Sequence, residues 1–243
     1  MTAASQLHTL IIGASSGIGA ALANRLKAED KLSLIARRHD RLQAIASTAA
    51  HTEAFVCDVS NSEKLLATIK DAVGKNGKID RLIYCAGKQM IKPLRSMSCS
   101  ELEDIVDVNL MGALVSASAF ASTRLSNSNA VYLAISSIAA QRAEPGIIAY
   151  SAAKAGLSGL IQGLARECAP KRAIAIAPGW LDTEMTQSLN HIYTADFRSK
   201  LASSAPLGIT TVDEIVELAA YLLSNSARSI TGQTITMDSG AVL

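Results

Sequence analysis

Short apolar segments alternate with helix-patterned segments along almost the whole chain. Residues 9–14 (TLIIGA) form an apolar run, and the segment after it repeats Ile18, Leu22 and Leu26 at helical spacing. Similar pairs of patterns recur up to a last strand-like run, TITMD, near the carboxyl end. A hairpin cannot join strands separated by helices, so the strands must pair in parallel through right-handed crossovers. The sequence therefore predicts an α/β fold, a doubly wound, seven-stranded parallel sheet with helices on both faces.

The composition favours one globular domain over residues 1–243. Of these residues 49% are hydrophobic and only 18% are charged, which is enough for a large core. The net charge of +2 and the scattered basic residues argue against nucleic acid as a partner. No segment approaches the roughly 18 uninterrupted apolar residues of a membrane span. Four widely spaced cysteines suggest reduced thiols, no zinc site and a cytoplasmic location.

Three glycines follow the first predicted strand with the spacing G-x-x-x-G-x-G, at Gly13, Gly17 and Gly19. In a doubly wound sheet, ligands bind beyond the carboxyl ends of the strands, where the strand order reverses. A backbone without Cβ atoms approaches a pyrophosphate closely, and the amides at a helix start stabilise the anion. The glycines alone fit a simple tight turn equally well, so the nucleotide hypothesis needs further support.

The end of the second predicted strand supplies that support. Sites for NAD usually carry a carboxylate there, which binds the adenosine ribose hydroxyls and repels a 2′-phosphate. This chain has Ala36, Arg37 and Arg38 instead. An arginine binds phosphate through charge-assisted hydrogen bonds, and Ser15 in the glycine turn adds a neutral donor. We therefore predict NADP(H) in preference to NAD(H), with the larger contribution from Arg37; the alternative is a solvated basic pair.

A cluster of reactive side chains lies between residues 137 and 154. Tyr150 and Lys154 are four residues apart on a predicted helix and therefore share a face. A free tyrosine has a pKa of about 10 and needs a nearby cation to act as an acid-base catalyst at neutral pH. We expect Lys154 to lower the pKa of Tyr150, and Ser137 to hydrogen-bond the substrate oxygen. Taken alone, this spacing also occurs by chance on many helices.

Together, these motifs resemble the short-chain dehydrogenase/reductase family, in its short single-domain branch, over essentially the whole chain. Asp58 and Val59 match its adenine-side motif, residues 178–183 (PGWLDT) its nicotinamide-side motif, and Asn109 its fourth catalytic position. The resemblance implies a Rossmann fold and a proton relay to solvent, in which Asn109 perturbs its helix and holds a water near Lys154. The expected catalytic residues are Asn109, Ser137, Tyr150 and Lys154. The expected cofactor-binding residues are Gly13, Ser15, Ser16, Gly17, Ile18, Gly19, Arg37, Arg38, Asp58, Val59, Ala86, Gly87, Asn109, Tyr150, Lys154, Pro178, Gly179, Leu181 and Thr183.

The chain departs from the family pattern after the fourth predicted strand. The family sequence N-N-A-G reads YCAG here, so Tyr84 and Cys85 replace both asparagines. The polar bonds of those asparagines must be absent or supplied by other groups. None of the four expected catalytic residues is lost by this change.

The leading hypothesis is an NADPH-dependent carbonyl reductase that also runs in reverse as an alcohol dehydrogenase. One alternative is a 3-oxoacyl-(acyl-carrier-protein) reductase. An acidic carrier needs a basic rim, but residues 126–129 (SNSN) are expected to form an uncharged loop, leaving Lys171 and Arg172 as the nearest basic candidate. A second alternative is a regulator that binds NADP(H) without turnover.

Two further expectations concern the substrate side and the assembly. Residues 184–206 are expected to form a lid around a small-molecule carbonyl substrate. A homotetramer or dimer is expected from the apolar helices at residues 100–125 and 150–168, with residues 240–243 (GAVL) sealing a second interface. The apolar lid residues fit either a substrate contact or a core contact, and they are Met185, Leu189, Ile192, Tyr193 and Phe197.

Overall fold

The computed structural model describes residues 6–189 and 192–241 of the chain. Seven parallel strands form one sheet in the order β3-β2-β1-β4-β5-β6-β7, which confirms the predicted architecture. The strands are β1 (His8–Ile12), β2 (Lys31–Ala36), β3 (Thr52–Val56), β4 (Ile79–Tyr84), β5 (Ser126–Ile135), β6 (Arg172–Pro178) and β7 (Gln233–Met237).

Helices cover both faces of this sheet, so its central strands are buried on both sides and are apolar along their length. One core contains residues of α3, α5 and α6, and the other contains residues of α1, α2 and α9. The helices of the described residues are α1 (Gly17–Leu26), α2 (His39–Ala46), α3 (Ser62–Asn76), α4 (Cys99–Val106), α5 (Gly112–Ala121), α6 (Ile148–Glu167), α7 (Glu184–Gln187), α8 (Ala195–Ser204) and α9 (Val212–Leu223).

The strand order reverses between β1 and β4. From β1 the chain proceeds outward to β2 and β3, and then crosses back to β4 on the other side of β1. The connections that leave the carboxyl ends of β1 and β4 therefore lead to opposite faces of the sheet, and the crevice between them is where ligands bind in sheets of this type. The turn with the three glycines follows β1 at this point.

The helix predicted over residues 100–125 is divided into two. A π-helical turn, Asp107–Met111, separates α4 from α5 and contains Asn109. Such turns insert an extra residue into a helix and are frequent at functional sites. The apolar pattern alone did not reveal this turn, because the residues on both sides of it continue the same helical character. The turn lies where the family resemblance implied that Asn109 perturbs its helix.

The prediction of an uncharged loop at residues 126–129 is wrong, because these residues form the first part of β5. Ser126 pairs with Ile79 as the first residue of β5, and the register then shifts until Val131 pairs with Arg81. The extra residues on β5 form an irregularity of the bulge type. Asn127 in this segment donates a hydrogen bond to Asp80 Oδ1 at 2.7 Å.

The hypothesis that Lys171 and Arg172 form a basic docking surface for a carrier protein is also wrong. Lys171 is buried, and its Nζ donates to the carbonyl oxygens of Phe120 (2.7 Å) and Ala121 (3.1 Å) and to Ser126 Oγ (2.7 Å). Arg172 donates to four backbone carbonyls around the end of α9. Both side chains therefore hold the interior together at the amino ends of the strands and present no basic surface to a partner.

One helical stretch, Cys99–Ala121, is long and apolar enough to cross a membrane by those two measures alone. Half of its most apolar window is buried in the structure, and the core helices of soluble proteins meet the same criteria. The stretch packs against the sheet through α5, so we assign it to the core.

Candidate active site and cofactor cleft

A cavity of about 630 Å³ opens at the carboxyl edge of the sheet, where the strand order reverses. This volume lies within the ~300–1,000 Å³ range of small-molecule sites. All of the predicted site residues line this cavity except Gly19 and Asn109, which lie directly behind its wall. The structure therefore brings together, in one cleft, groups that are up to 170 positions apart between Gly13 and Thr183.

The glycine turn fits a bound nucleotide phosphate. Gly13 has a φ of +90°, and a Cβ atom there would lie 2.5 Å from the backbone nitrogen of Ala86. A Cβ on Gly19 would lie 2.3 Å from the carbonyl oxygen of Gly13. Both positions need glycine for close packing, while Gly17, with a φ of +52°, starts α1. The first amides of α1 therefore face the cleft as donors for an anion.

The reaction centre lies at the start of α6 and the end of β5. Lys154 is buried, and its Nζ donates to the carbonyl oxygen of Ile135 at 2.8 Å. The same Nζ lies 5.8 Å from the ring centroid of Tyr150. Ser137 follows β5, where its Oγ accepts a hydrogen bond from the amide of Ala139 at 3.1 Å. Three side chains from two elements thus converge at the predicted site.

The pKa of Tyr150 differs from the expectation. Burial raises it to about 12, and a hydrogen bond with Ser137 only partly opposes this effect. Burial lowers the pKa of Lys154 to about 8. The predicted lowering of the Tyr150 pKa is therefore wrong in this structure, because burial is the largest effect on it and Lys154 Nζ bonds to a backbone carbonyl.

Asn109 is buried in the π-helical turn and does not face the cleft. Its Nδ2 donates to the carbonyl oxygens of Lys88 (2.7 Å) and Ile105 (2.9 Å), and its Oδ1 accepts from the Lys88 amide at 3.2 Å. A Cβ on Gly87 would lie 3.2 Å from Asn109 Oδ1 and 3.5 Å from Lys154 Nζ. Asn109 and Lys154 therefore flank the same glycine, and only a residue without a side chain leaves room between them.

Tyr84 and Cys85, which replace the family's asparagines, are both accommodated. Tyr84 is fully buried, and its hydroxyl donates to the carbonyl oxygen of Val108 at 2.7 Å. Cys85 lines the cleft, and burial raises the pKa of its thiol to about 12. The Cys85 thiol therefore stays protonated at neutral pH.

The other end of the cleft carries exposed charges. Arg37 lies 3.7 Å from Asp58, and 73% of its side chain is exposed. Arg38 instead donates to Ser15 Oγ (3.1 Å) and Ser16 Oγ (2.6 Å) in the glycine turn. The sequence correctly selected both arginines as cleft residues, but the structure joins Ser15 to Arg38 rather than to Arg37.

Glu184 is a cleft residue that the sequence analysis missed. Its carboxylate lies 2.8 Å from Arg38 Nη1 and 2.7 Å from Arg41 Nη2. Hydrogen bonds from Arg41 and then Arg38 lower the pKa of Glu184 to about 2. The sequence could have indicated Glu184, because this residue directly follows the P-G-x-x-x-T motif. That motif ends beside the glycine turn, where a Cβ on Gly17 would lie 3.8 Å from the Thr183 side chain.

Aromatic side chains form the substrate side of the cleft. The ring centroids of Trp180 and Tyr193 lie 6.1 Å apart, and those of Tyr193 and Phe197 lie 5.1 Å apart. Of the lid residues named from the sequence, Leu189 is not among those lining the cleft, whereas Met185, Ile192, Tyr193 and Phe197 are. Trp180 was missed, although it is the only tryptophan in the chain and lies inside the PGWLDT motif. Residues 190–191 of the predicted lid lie outside the described residues.

Among the residues that the structure describes, no group of three histidine, cysteine, aspartate or glutamate side chains is arranged to hold a metal ion. The polar groups at the reaction end of the cleft include the hydroxyls of Ser137 and Tyr150 and the amine of Lys154, and those at the other end include two arginines and the carboxylates of Asp58 and Glu184. This donor set suits proton transfer and phosphate binding.

Comparison with known proteins gives consistent matches along the chain. A family model described as enoyl-(acyl carrier protein) reductase matches residues 13–242. The short-chain reductase protein NovJ of Streptomyces niveus is 30% identical over 242 residues, which cover 95% of this chain and 92% of that protein. The 3-oxoacyl-(acyl-carrier-protein) reductase FabG of Chlamydia muridarum is 32% identical over 196 residues, which cover 79% of this chain and 77% of that protein.

Solved structures of similar fold also match nearly the whole chain. A short-chain dehydrogenase/reductase from Brucella melitensis superposes with a TM-score of 0.90 at 26% identity, covering 98% of this chain and 97% of that one. A 3-ketoacyl-(acyl-carrier-protein) reductase from the same organism, complexed with NADH, gives 0.86 at 26% identity and covers 98% of both chains.

Proposed function

The chain belongs to the short-chain dehydrogenase/reductase family, a family of oxidoreductases, and from that premise we propose that it reduces a ketone or aldehyde carbonyl to an alcohol with NADPH. The observation that carries this proposal is the convergence of Ser137, Tyr150 and Lys154 at one end of a cleft whose other end is a glycine turn. We also propose that residues 1–243 form one cofactor-binding domain with an integral lid.

Each side chain at the reaction centre has a separate role in this proposal. A nicotinamide bound in the cleft would supply the hydride. Ser137 donates a hydrogen bond to the carbonyl oxygen, and Tyr150 gives its phenolic proton to the same oxygen as the alcohol forms. Lys154 binds the ribose next to the nicotinamide and supplies the positive charge beside Tyr150. Asn109 helps to return a proton from solvent through a water near Lys154.

The protonation state of Tyr150 favours the direction of reduction. A phenol with a pKa of about 12 is protonated at pH 7 and is ready to donate. Oxidation of an alcohol needs the phenolate, which burial disfavours. We therefore propose that carbonyl reduction is the faster direction near neutral pH, and that the reverse reaction gains speed as the pH rises.

The preference for NADP(H) over NAD(H) is part of the same proposal. Arg37, Arg38 and Ser15 face the adenosine end of the cleft, and the second strand ends in Ala36 without a carboxylate. The 2′-phosphate would bind Arg38 and Ser15, close to where the carboxylate of Glu184 now bonds to Arg38. A bound 2′-phosphate would therefore compete with the Glu184 carboxylate for the Arg38 guanidinium.

Reduction of 3-oxoacyl groups on an acyl carrier protein is the main alternative, and two of the relatives described above carry that name. The burial of Lys171 and the backbone bonds of Arg172 count against carrier docking at the site first considered. The aromatic lining of the substrate side, from Trp180, Tyr193 and Phe197, favours a free apolar ketone. A regulator without turnover would have no use for the complete reaction centre.

The decisive experiment measures NADPH oxidation at 340 nm with purified protein and a panel of carbonyl compounds. The panel contains aromatic and aliphatic ketones, an aldehyde, a carrier-bound 3-oxoester and a carrier-bound enoyl ester. We expect turnover of free ketones with a kcat/KM above that for both carrier-bound esters. Higher activity on the oxoester identifies the carrier-protein reductase, and activity on the enoyl ester alone overturns carbonyl reduction. NADPH binding without any turnover identifies the regulator.

We further propose a homodimer or homotetramer that works in the cytoplasm. Apolar side chains on α4, the π-helical turn and α5 are exposed, namely Val106 (37%), Met111 (41%) and Leu114 (40%). The four cysteines are free, which fits a reducing compartment. Val242 and Leu243 of the predicted second interface lie outside the described residues. A monomer in light scattering at micromolar concentration contradicts the assembly.

A further inference from the structure

We infer that Tyr84 is a positioning residue for the reaction centre, because its hydroxyl fixes the π-helical turn that carries Asn109. Gly112, the residue after that turn, leaves the space for this hydroxyl. The inference rests on the proposed carbonyl reductase function, in which Asn109 serves the proton relay. It gives a role to one of the two residues that replace the family's asparagines.

The contact between Tyr84 and the turn is direct and buried. Tyr84 is the last residue of β4 and has no exposed surface, and its hydroxyl donates to the carbonyl oxygen of Val108 at 2.7 Å. Val108 directly precedes Asn109 within the turn Asp107–Met111. Burial raises the pKa of Tyr84 well above its usual value, so the hydroxyl keeps its proton and remains a donor. The path from Tyr84 to Asn109 is therefore one peptide unit long.

The absence of a side chain at Gly112 leaves the space that the Tyr84 hydroxyl occupies. A Cβ atom at Gly112 would lie 2.3 Å from Tyr84 Oη, 3.3 Å from Tyr84 Cζ and 3.2 Å from the carbonyl oxygen of Val59. The first distance is far below van der Waals contact, so no side chain can occupy this position while the hydroxyl is there. The tyrosine and the glycine are therefore a matched pair, in which the larger residue on β4 needs the smaller one on α5.

Asn109 is held from the opposite side by the segment that follows β4. It exchanges two hydrogen bonds with the backbone of Lys88, one in each direction. That segment also contains Gly87, which lies between Asn109 and Lys154. The turn is thus fixed at two points, by the end of β4 through Tyr84 and by the next residues through Lys88. Loss of the Tyr84 bond frees the Val108 carbonyl and loosens one of these two points.

Tyr132 on β5 provides a matched control. It has no exposed surface, and its hydroxyl lies 3.0 Å from the carbonyl oxygen of Ala113 and 2.9 Å from Ser116 Oγ. Tyr132→Phe therefore removes the same chemical group from the same core, but the contacts it loses are with α5 and not with the π-helical turn. Both tyrosines belong to one cluster of buried residues, so their structural costs are comparable.

The first experiment compares Tyr84→Phe with Tyr132→Phe. We expect both variants to unfold at a lower temperature than the wild type, and only Tyr84→Phe to lower kcat, by at least about fivefold with little change in KM; a 1 Å displacement near reacting groups costs up to ~100-fold. In the Asn109→Ala background, Tyr84→Phe should lower kcat no further, because its effect acts through Asn109. Equal kcat values for the two tyrosine variants, or additive effects with Asn109→Ala, overturn the inference.

The second experiment does not depend on enzyme activity, so failure of the proposed function leaves it intact. Gly112→Ala should lower the melting temperature strongly, and Tyr84→Phe should restore part of the loss, because removing Oη relieves the 2.3 Å contact. Gly74→Ala is the control, since a Cβ on this α3 residue would meet no atom within 4 Å, and Tyr84→Phe should not rescue it. The proposed pairing of Tyr84 with Gly112 is overturned if the double variant, Gly112→Ala with Tyr84→Phe, is no more stable or soluble than Gly112→Ala alone. Absence of turnover in the wild type refutes only the reductase.

Discussion

The two ends of the cleft are built in different ways. At the reaction end, Asn109 and Lys154 are 0% and 3% exposed, and each is hydrogen-bonded to backbone carbonyls of the surrounding core. At the adenosine end, the side chains of Arg38 and Glu184 are 42% and 44% exposed and bond mainly to other side chains. One end is fixed by the fold, and the other is held by charges in contact with water.

This difference matches the two roles that we propose for the cleft, catalysis at one end and cofactor selection at the other. Groups that act on developing charge are effective when they are held in place before the substrate binds. Groups that select a cofactor must accept a large, hydrated phosphate and release it again, which exposed arginines allow. We therefore expect substitutions at the reaction end to change kcat strongly, and those at the adenosine end to change KM for the cofactor more weakly.

The largest effect is expected for Tyr150→Phe. Removal of the proton donor should lower kcat for ketone reduction by about 10²- to 10⁴-fold, the usual contribution of a general acid. NADPH binding, measured by the change in its fluorescence, should stay within a factor of about two to three of the wild-type value, since the ring remains. Near-normal turnover across the ketone panel would remove Tyr150 from the proposed mechanism.

A pH profile gives the next largest effect. The pKa of Lys154 is lowered to about 8, so its ammonium loses its proton as the pH rises through that value. Tyr150 remains protonated over the same interval, because its pKa is about 12. We therefore expect kcat/KM for reduction to be constant below pH 8 and to fall above it. The fall should be absent from the residual activity of Lys154→Gln, and an identical fall in that variant would assign it to another group.

At the adenosine end, Arg38→Ala should raise the KM for NADPH by about tenfold and leave that for NADH nearly unchanged. Loss of a charge-assisted hydrogen bond weakens binding by roughly ten- to a hundred-fold, and exposure to solvent reduces the effect toward the lower value. Arg37→Ala should have a smaller effect, because the structure joins Ser15 and Ser16 to Arg38. This reverses the order that the sequence favoured.

Arg41→Ala is the matched control for Arg38→Ala. Arg41 also bonds to Glu184, while the serines of the glycine turn bond to Arg38. We expect its effect on NADPH to be smaller than that of Arg38→Ala. If Arg38→Ala raises the KM values for NADPH and NADH equally, the arginine acts on the glycine turn and not on a 2′-phosphate.

The smallest effect is expected for Glu184→Gln. Glu184 is ionised at neutral pH, with a pKa of about 2, and its carboxylate bonds to the same guanidinium that we assign to the 2′-phosphate. Neutralising it removes a competing anion, so the KM for NADPH should fall a few-fold while that for NADH does not change. The difference should shrink in high salt, which screens exposed charges. A rise in the KM for NADPH would mean that Glu184 orients Arg38 for the cofactor.

Much of the fold could be predicted, because parallel strands buried on both faces leave continuous apolar runs such as that of β1. Local composition does not distinguish the π-helical turn at Asp107–Met111 from the α-helix around it, so only the family resemblance, which implied that Asn109 perturbs its helix, indicated an irregularity there. The start of β5 at Ser126 was also missed. Its pairing with Ile79 is a long-range contact that polar residues such as Asn127 do not indicate.

The candidate site was predictable where backbone geometry restricts the residue type. Gly13 and Gly19 have no room for a Cβ, so their spacing carries information that the sequence displays directly. The Tyr150 pKa was mispredicted, because it depends on how deeply the ring is buried and on Lys154 bonding to Ile135. The partners of Arg38 depend on how α7 packs beside the glycine turn, which no local pattern encodes.

The segment that begins at Glu184 contacts both ends of the cleft, so binding at one end can affect binding at the other. Its first residue is tied to Arg38 and Arg41, while Tyr193 and Phe197, further along, enclose the substrate side. We therefore expect a phosphate that competes for Arg38 to act on the same segment that we propose as the lid over the substrate. Because coupling between two binding sites is reciprocal, we expect a tightly bound substrate to alter the apparent affinity for the phosphorylated cofactor in turn. The proposed choice of cofactor and the entry of substrate would then be linked through the carboxylate of Glu184.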